Sequence, residues 1–292
     1  MKRVVLFLLT NLAILVVLSV AFGVLSASGA LEGFDSAYVP LAVMATLFGF
    51  GGSMLSLLLS KWVARRATGA EVIATPRTEV EAWLVRTVDR QARAVGITTP
   101  EVAIYESPEP NAFATGATRN SALVAVSTGL LQRLRREEVE AVLAHEVSHA
   151  ANGDMVTLAL MQGVVNTFVI FFSRVIGNLV DTALSRGEER RGPGIGYGVS
   201  VVVAELALGL LATLLVMAFS RWREYRADAG AARLAGAPRM IAALGRLGSE
   251  GTDLPQSMAA FGIRGGRSGL LRLFSSHPPI EDRIRRLQAA GR

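Results

Sequence analysis

The feature that most constrains this chain is the length of its uncharged apolar stretches. No charged residue occurs from position 4 to 31 or from 36 to 60. A helix rises about 1.5 Å per residue, so about 20 apolar residues cross a bilayer. Each stretch therefore holds one predicted span, at residues 4–25 and 39–59. Hydrophobic residues make up 51% of the chain and charged residues 18%, against about 25% charged in soluble domains. The composition favours a membrane protein.

The flanks of these two spans predict their orientation. Basic residues stand at the outer ends and acidic residues in the connection: Lys2, Arg3, Lys61, Arg65 and Arg66 against Glu32 and Asp35. The positive-inside rule then puts the N-terminus and the residues after 60 in the cytoplasm. A signal peptide cleaved near residues 27–30 is the alternative for the first span. Its apolar run is longer than the usual signal-peptide core of about 7–15 residues, so we expect a retained anchor.

A second, weaker hydrophobic pair follows at residues 156–180 and 197–219. Arg174 interrupts one predicted helix and Glu205 the other. Antiparallel neighbours at similar depths could pair these charges, which would reduce the cost of placing them in the membrane; separate snorkelling to the interface is the alternative. A hairpin buried in protein or lying at the interface, rather than spanning, also stays open.

The remaining segments read as a soluble α+β domain in two parts. Thr78 and Glu81 form a capping box that opens a helix ending near Gly96. Short β-branched runs at 102–106 and 123–127 predict strands, and a helix is predicted at 136–150. Later helices are predicted at 221–234, from Pro238, and at 279–290, while the glycine-rich stretch 265–269 reads as a linker. The predicted organisation is a membrane hairpin (1–60), a first part of the soluble domain (61–155), a second hairpin (156–219) and a second part of the soluble domain (220–292).

The strongest chemical signal is His145-Glu146-Val147-Ser148-His149. Positions i and i+4 share a helix face, so both imidazoles can bind one ion with Glu146 beside it. Catalytic zinc keeps three protein ligands and one open position, and an adjacent carboxylate can take the proton of the attacking water. Only three histidines exist and there is no cysteine, which excludes disulfides, thiol catalysis and cysteine-based zinc. A di-iron bundle is excluded too, because it needs a second Glu-x-x-His unit.

The best candidate for the third ligand is Glu224. Asp228 follows it by four residues and lies on the same helical face, so it can orient a ligand histidine by accepting a hydrogen bond. We expect the same role for Asp154, which follows the histidine pair. An ordinary solvated helix with alternating charges is the alternative for this segment.

The chain resembles the HtpX family of membrane-embedded zinc metalloproteases, gluzincins related to the prenyl-protein (CAAX) endopeptidases. The resemblance covers essentially the whole length and rests on four motifs: Asn111-Ala112-Phe113-Ala114, His145 to His149 with Asn152-Gly153-Asp154, Arg223 to Asp228, and Ser276-His277-Pro278-Pro279. It implies that His145, His149 and Glu224 bind one zinc ion and that Glu146 is the catalytic base. It also implies a bacterial inner-membrane protease that acts on misfolded or damaged membrane proteins in quality control.

Further site residues are expected from the same motifs. Asn111 and Ala112, with Phe113 next to them, are expected to present backbone groups to a substrate held as an added β-strand; a simple turn after Pro110 is the alternative. In the resembling families a His and an Arg spaced as His277 and Arg283 approach the metal, and either could stabilise the oxyanion. A loop histidine with a surface arginine is the alternative here.

The ligand set also constrains the topology. His149 and Glu224 are 224 − 149 = 75 positions apart, and both must reach one ion, so the chain between them crosses the bilayer twice or not at all. We therefore expect a mainly α membrane protein with four spans and a cytoplasmic α+β zincin-type domain, both termini and the active site being cytoplasmic. The seven arginines after position 263 are typical of a solvated helix face, and contact with the anionic headgroups of the lipid bilayer on its cytoplasmic side is the alternative. No nucleic-acid motif accompanies the net charge of +6. A CAAX-type protease with a narrow substrate and a catalytically silent membrane scaffold are the alternatives.

Overall fold

The structure is a computed structural model that describes residues 38–185, 194–249 and 275–290. The first predicted span (4–25), the connection 186–193, the predicted linker 265–269 and residues 264–274 and 291–292 of the arginine-rich tail lie outside the described residues. The described residues divide into two compact units. Of the described residues, one unit contains 38–56, 158–185 and 194–216, and the other contains 57–157, 217–249 and 275–290.

Three long apolar helices dominate the described chain: α1 (Tyr38–Thr68), α5 (Asp154–Ser185) and α6 (Ile195–Ala235). Each is long and apolar enough to cross a membrane. The spans expected at 39–59, 156–180 and 197–219 lie within them. However, the helix expected at 221–234 is not separate, because α6 runs on without interruption through residue 219. No proline and no positive-φ glycine stands between residues 195 and 235 to end it.

Small residues let the apolar helices approach closely in the first unit. A Cβ added to Gly49 of α1 would lie 2.3 Å from Oγ1 of Thr167 on α5, and one added to Gly163 would lie 2.8 Å from the ring of Phe50. Such contacts are a main source of helix association in membranes. Arg174 on α5 and Glu205 on α6 form an ion pair of 2.9 Å, the pairing that their sequence positions suggested.

The second unit is built around a four-stranded sheet. Its strands are β1 (Glu71–Val72), β2 (Glu101–Tyr105), β3 (Ala112–Thr115) and β4 (Leu123–Ser127), in the order β1-β2-β4-β3. β2 and β4 are parallel, and the other pairs are antiparallel. β3 therefore lies at an edge of the sheet. The expected strands at 102–106 and 123–127 correspond to β2 and β4.

The remaining helices are α2 (Glu79–Ala94), α3 (Thr128–Arg133), α4 (Arg136–Asn152), α7 (Ala237–Ser249) and α8 (Ile280–Ala290). The Oγ1 of Thr78 accepts a hydrogen bond from the Glu81 N–H, as the capping box predicts. Leu84 of α2, Val124 of β4 and Leu143 of α4 are fully buried in one core cluster. The other face of the sheet buries a smaller group around Tyr105, with Phe113 against it. This core holds α4 rigidly, which fixes the histidines it carries.

Candidate metal centre

Helix α4 carries the histidine pair on its buried face. The helix begins where the Glu138 carboxylate accepts a hydrogen bond from the Arg135 N–H at 2.8 Å, and it ends at Gly153, whose φ is 68°. That φ lies in the left-handed region that favours glycine. One turn apart, His145 and His149 place their Nε2 atoms 3.1 Å from each other. Both imidazoles are buried.

Glu224 of α6 brings the third donor to the same point. Its Oε1 lies 3.2 Å from Nε2 of His149, and its Oε2 lies 3.5 Å from Nε2 of His145. The carboxylate is only 3% exposed. Within the described residues, these three side chains form the group whose ligand atoms could hold a metal ion.

The triangle formed by the two Nε2 atoms and the Glu224 carboxylate has a size that suits a small tetrahedral ion. Bonds of about 2.0–2.2 Å in a tetrahedron place neighbouring ligand atoms about 3.3–3.6 Å apart. The two Nε2 atoms are 3.1 Å apart, and Glu224 approaches His149 with Oε1 at 3.2 Å and His145 with its other oxygen, Oε2, at 3.5 Å. Two imidazoles and one carboxylate are also a donor set suited to a first-row transition metal rather than to calcium or magnesium. The residues present therefore fit a divalent metal.

Carboxylates behind the histidines orient the rings. Nδ1 of His149 lies 2.7 Å from Oδ2 of Asp154, and Nδ1 of His145 lies 3.0 Å from Oδ1 of Asp228. A proton held on Nδ1 of His149 by the hydrogen bond to Asp154 leaves the lone pair of Nε2 directed towards the centre of the triangle. The Asp228 carboxylate beside Nδ1 of His145 favours the same arrangement there. The structure thus brings both predicted orienting residues to the ligands.

The surrounding carboxylates also hold protons on the metal-free histidines. Burial alone would lower the pKa of His149, but hydrogen bonds to Asp154 and Glu224 outweigh it and raise the pKa to about 10. Burial opposes the shift at His145 as well, yet Asp228 and Glu224 raise its pKa. The site is strongly attractive for positive charge, which a divalent cation would supply in place of the protons.

Arg283 and His277 both reach the centre from the C-terminal segment. The Arg283 guanidinium donates from Nε and Nη2 to the two oxygens of Asp228, at 2.8 and 2.6 Å, and its Nη1 lies 3.5 Å from Oε2 of Glu224. Burial lowers the pKa of Arg283, but Asp228 outweighs it and the pKa is raised. Nδ1 of His277 lies 2.8 Å from Oε2 of Glu224, and the imidazole is 66% exposed. Arg283 is therefore committed mainly to Asp228, whereas His277 faces solvent.

A cavity of about 150 Å³ opens on these residues. Its lining includes the metal-site side chains, the segment before β3 and an apolar wall: His145, Glu146, Glu224, His277, Arg283, Pro110, Asn111, Ala112, Leu130, Val142, Met240, Leu244 and Leu247. The apolar wall from α7 was missed in the sequence, although the spacing of Met240, Leu244 and Leu247 is that of one helix face. Phe113 is not part of the lining. Its ring packs 5.7 Å from that of Tyr105 on the other face of the sheet.

The backbone of the β3 segment corrects one expectation. Asn111 does not present free backbone groups, because its N–H donates to Oγ of Ser127 and its C=O accepts from the N–H of Ser127, both at 2.9 Å. Antiparallel pairs alternate in direction, so Phe113 also directs its backbone to β4. Ala112 and Ala114 direct theirs to the open edge.

The close approach of α4 and α6 depends on Gly230, which the sequence reasoning also missed. A Cβ at this position would lie 2.3 Å from Oγ and 2.7 Å from Cβ of Ser148. Ser148 sits between the two ligand histidines along α4. The absence of a side chain at Gly230 therefore helps set the distance between Glu224 and the histidine pair.

Comparisons with known proteins agree with one another. Residues 78–290 match the family described as peptidase family M48. "Protease HtpX homolog" of Nitrosomonas eutropha is 58% identical over 294 residues, covering 99% of this chain and 100% of the relative. "Protease HtpX" of Xanthomonas campestris pv. campestris (strain B100) is also 58% identical, covering 99% of this chain and 98% of the relative. The crystal structure of S. mikatae Ste24p has a similar fold, with a TM-score of 0.63 at 18% identity over 97% of this chain and 67% of that one.

Proposed function

The chain belongs to peptidase family M48 and is a metalloprotease, and from this premise we propose that its metal is one zinc ion and that it cleaves unfolded or damaged membrane proteins. The observation that carries the metal assignment is the triangle of His145, His149 and Glu224 donor atoms. Zinc is the ion for which two imidazoles and a carboxylate, with a fourth position left open, form a typical catalytic set.

Glu146 is the proposed catalytic base. It lines the cavity next to His145 and Glu224. When bound, zinc supplies Lewis acidity that activates water and polarises the scissile carbonyl. Glu146 then accepts the proton of the attacking water and returns it to the amine that leaves. No covalent link between enzyme and substrate forms.

His277 is the better-placed group for the charge that develops on the carbonyl oxygen. It lines the cavity, and its ring is held by the contact of Nδ1 with Glu224, so in the imidazolium form its Nε2–H can stabilise the oxyanion by donating a hydrogen bond. Arg283 was expected to share this role, but two of its three guanidinium nitrogens bind Asp228. We propose that Arg283 acts mainly by fixing Asp228, and through it His145.

The open edge of β3 is the proposed substrate platform. Main-chain hydrogen bonds from Ala112 and Ala114 would hold an extended peptide without regard to its sequence. The apolar wall of Met240, Leu244 and Leu247 favours a hydrophobic side chain next to the scissile bond. Both properties suit a protease for unfolded membrane segments, which expose apolar residues and free backbone.

We also propose the membrane arrangement expected from the sequence: four spans in a bacterial inner membrane, with the site and both termini in the cytoplasm. Two of these spans would lie in α5 and α6, between His149 and Glu224, so that both ligands stand on one side. The basic residues at the end of α1, Arg65 and Arg66, support the cytoplasmic side.

The test is proteolysis by the purified, zinc-loaded full chain with casein and with an unfolded membrane protein as substrates. Wild type, Glu146→Gln and the control Glu137→Gln, an exposed residue of the same helix, are compared for cleavage and for bound zinc. We expect Glu146→Gln to keep about one zinc per chain and lose cleavage, with the control unchanged. Cleavage retained by Glu146→Gln would contradict the proposed base. Cleavage at one defined site only would favour a CAAX-type processing protease, and zinc binding without any cleavage would favour a silent scaffold.

A further inference from the structure

A cavity of about 630 Å³ lies at the C-terminal end of α1, away from the metal centre. Its lining is drawn from one short stretch of chain: Lys61, Trp62, Arg65, Arg66, Gly69 and Ala70. Three of these side chains are cations, and none is acidic. A concave surface with this charge suits an anion.

Within the part of the chain that the structure describes, two of the three cations have no acidic partner. Among the described residues, no carboxylate lies within ion-pair distance of Arg65 or Arg66, and both side chains are exposed. Lys61 differs, because its Nζ lies 2.6 Å from Oε1 of Glu101 on β2. The charge of Lys61 is therefore largely matched within the protein, and the two arginines remain available to a ligand.

The cavity also borders an apolar surface. Leu58 and Leu59 precede it on α1 and are 62% and 43% exposed, and Trp62 at its mouth is 61% exposed. The Arg66 guanidinium lies 6.0 Å from the centre of the Trp62 ring. A ligand here meets cations at one end and hydrocarbon at the other, which is the polarity of a phospholipid.

The position along the helix matches the level of lipid headgroups. Lys61 is the first charged residue after the uncharged stretch 36–60, and tryptophan is enriched where a membrane helix leaves the hydrocarbon. Helix α6 has the same arrangement of an exposed tryptophan followed four residues later by an arginine. Trp222 is 50% exposed, and the guanidinium of Arg226 lies 4.7 Å from the centre of its ring. The two Trp-x-x-x-Arg pairs mark where each helix meets a membrane surface.

We propose that this cavity binds the headgroup of an acidic phospholipid, with Arg65 and Arg66 on the phosphate and Trp62 at the boundary with the acyl chains. Arginine suits this role because its planar guanidinium forms paired hydrogen bonds to phosphate oxygens. A membrane surface attracts basic residues in general, but a lined cavity with two unmatched guanidiniums provides a defined site. The site is independent of the metal centre and does not rest on the proposed reaction.

The experiment measures lipid binding to the purified full chain in a zwitterionic detergent. Short-chain phosphatidylglycerol, short-chain phosphatidylcholine and inorganic phosphate are titrated separately, and bound ligand is counted by native mass spectrometry. The test variant is Arg65→Gln/Arg66→Gln. The matched control is Arg86→Gln/Arg119→Gln, which removes the same charge from positions outside the cavity.

We expect wild type and control to prefer phosphatidylglycerol over phosphatidylcholine, and the Arg65/Arg66 variant to lose about 25-fold in phosphatidylglycerol affinity, about fivefold for each arginine removed. An unchanged preference for phosphatidylglycerol in the Arg65/Arg66 variant would overturn the proposal. An equal loss of phosphatidylglycerol affinity in the control would overturn it too, because binding would then depend on the total charge of the protein and not on this cavity. Inorganic phosphate that binds as tightly as phosphatidylglycerol would overturn the assignment to a lipid. Cleavage activity does not enter the readout, so the result separates this site from the proposed protease function.

Discussion

Replacing Gly230 with alanine tests how helix packing sets the metal geometry. The new Cβ would lie 2.3 Å from Oγ of Ser148, whereas ordinary contacts begin at 3.4 Å, so α4 and α6 must separate by about 1 Å in a close-packed interior. A shift of that size moves Glu224 away from His149 by a large part of a bond of about 2 Å to the metal. We expect about 1–3 kcal/mol of destabilisation and a fall in kcat/KM of about 100-fold.

A series of double variants separates this clash from other effects. Ser148→Ala in the Gly230→Ala background removes the 2.3 Å contact but leaves Cβ of residue 148 at 2.7 Å, so rescue should be partial. Ser148→Gly removes both atoms and should restore most of the metal affinity. A glycine inside a helix lowers the free energy of unfolding by about 0.5–1 kcal/mol, so thermal stability should recover less completely. Gly245→Ala is the matched control, because an added Cβ there meets nothing within 4 Å.

The assays are metal affinity by competition with a chromogenic chelator, casein cleavage and thermal unfolding. We expect metal binding to strengthen in the order Gly230→Ala, Ser148→Ala/Gly230→Ala, Ser148→Gly/Gly230→Ala. Wild-type affinity and cleavage in Gly230→Ala would show that this packing does not set the metal geometry. So would a double variant with Ser148→Gly that is no better than Gly230→Ala alone.

Three further predictions follow from other contacts. Asp154→Asn and Asp228→Asn should each weaken metal affinity about 10–100-fold, because each ligand imidazole exchanges a charged acceptor for a weaker amide oxygen; unchanged chelator competition would show that the charge of these carboxylates does not support the ligands. Since the pKa of metal-free His149 is about 10, the ion must displace its proton at pH 7, so apparent affinity should rise about tenfold per pH unit from pH 7 to 9. Calorimetry in buffers of different ionisation enthalpy measures the released protons, and a heat that is independent of buffer would contradict this. The charge-swapped Arg174→Glu/Glu205→Arg protein should melt at a higher temperature than either single variant. A fall in melting temperature equal to the sum of the two single-variant falls would argue against a stabilising pair.

Much of the fold could be predicted because the deciding signals are local. The uncharged stretch before Lys61, the capping box at Thr78 and the β-branched runs of β2 and β4 each depend on near neighbours in the chain. The resemblance to the HtpX family is confirmed by the comparisons. The continuity of α6 is not evident from the sequence, because the charges after Phe219 resemble the start of a new helix although nothing there breaks the backbone.

The details of the site depend on contacts between distant segments, which the sequence does not reveal. The spacing of His145 and His149 predicts a shared face, but the close packing of Gly230 on Ser148 joins two helices 82 positions apart (230 − 148). Asn111 looked free in the sequence, and only the register of β3 on β4 shows that Ser127 uses its backbone groups. Likewise, Arg283 could be placed near the metal from the resemblance, while its commitment to Asp228 could not.

X-ray absorption at the zinc edge of the zinc-loaded full chain identifies the ligands of the metal. We expect one zinc per chain with nitrogen and oxygen ligands at about 2.0–2.2 Å and the scattering signature of two imidazoles, of which one disappears in His149→Ala. A spectrum that is unchanged in His149→Ala, or one without imidazole scattering, would contradict the assignment of His145, His149 and Glu224 as the metal site.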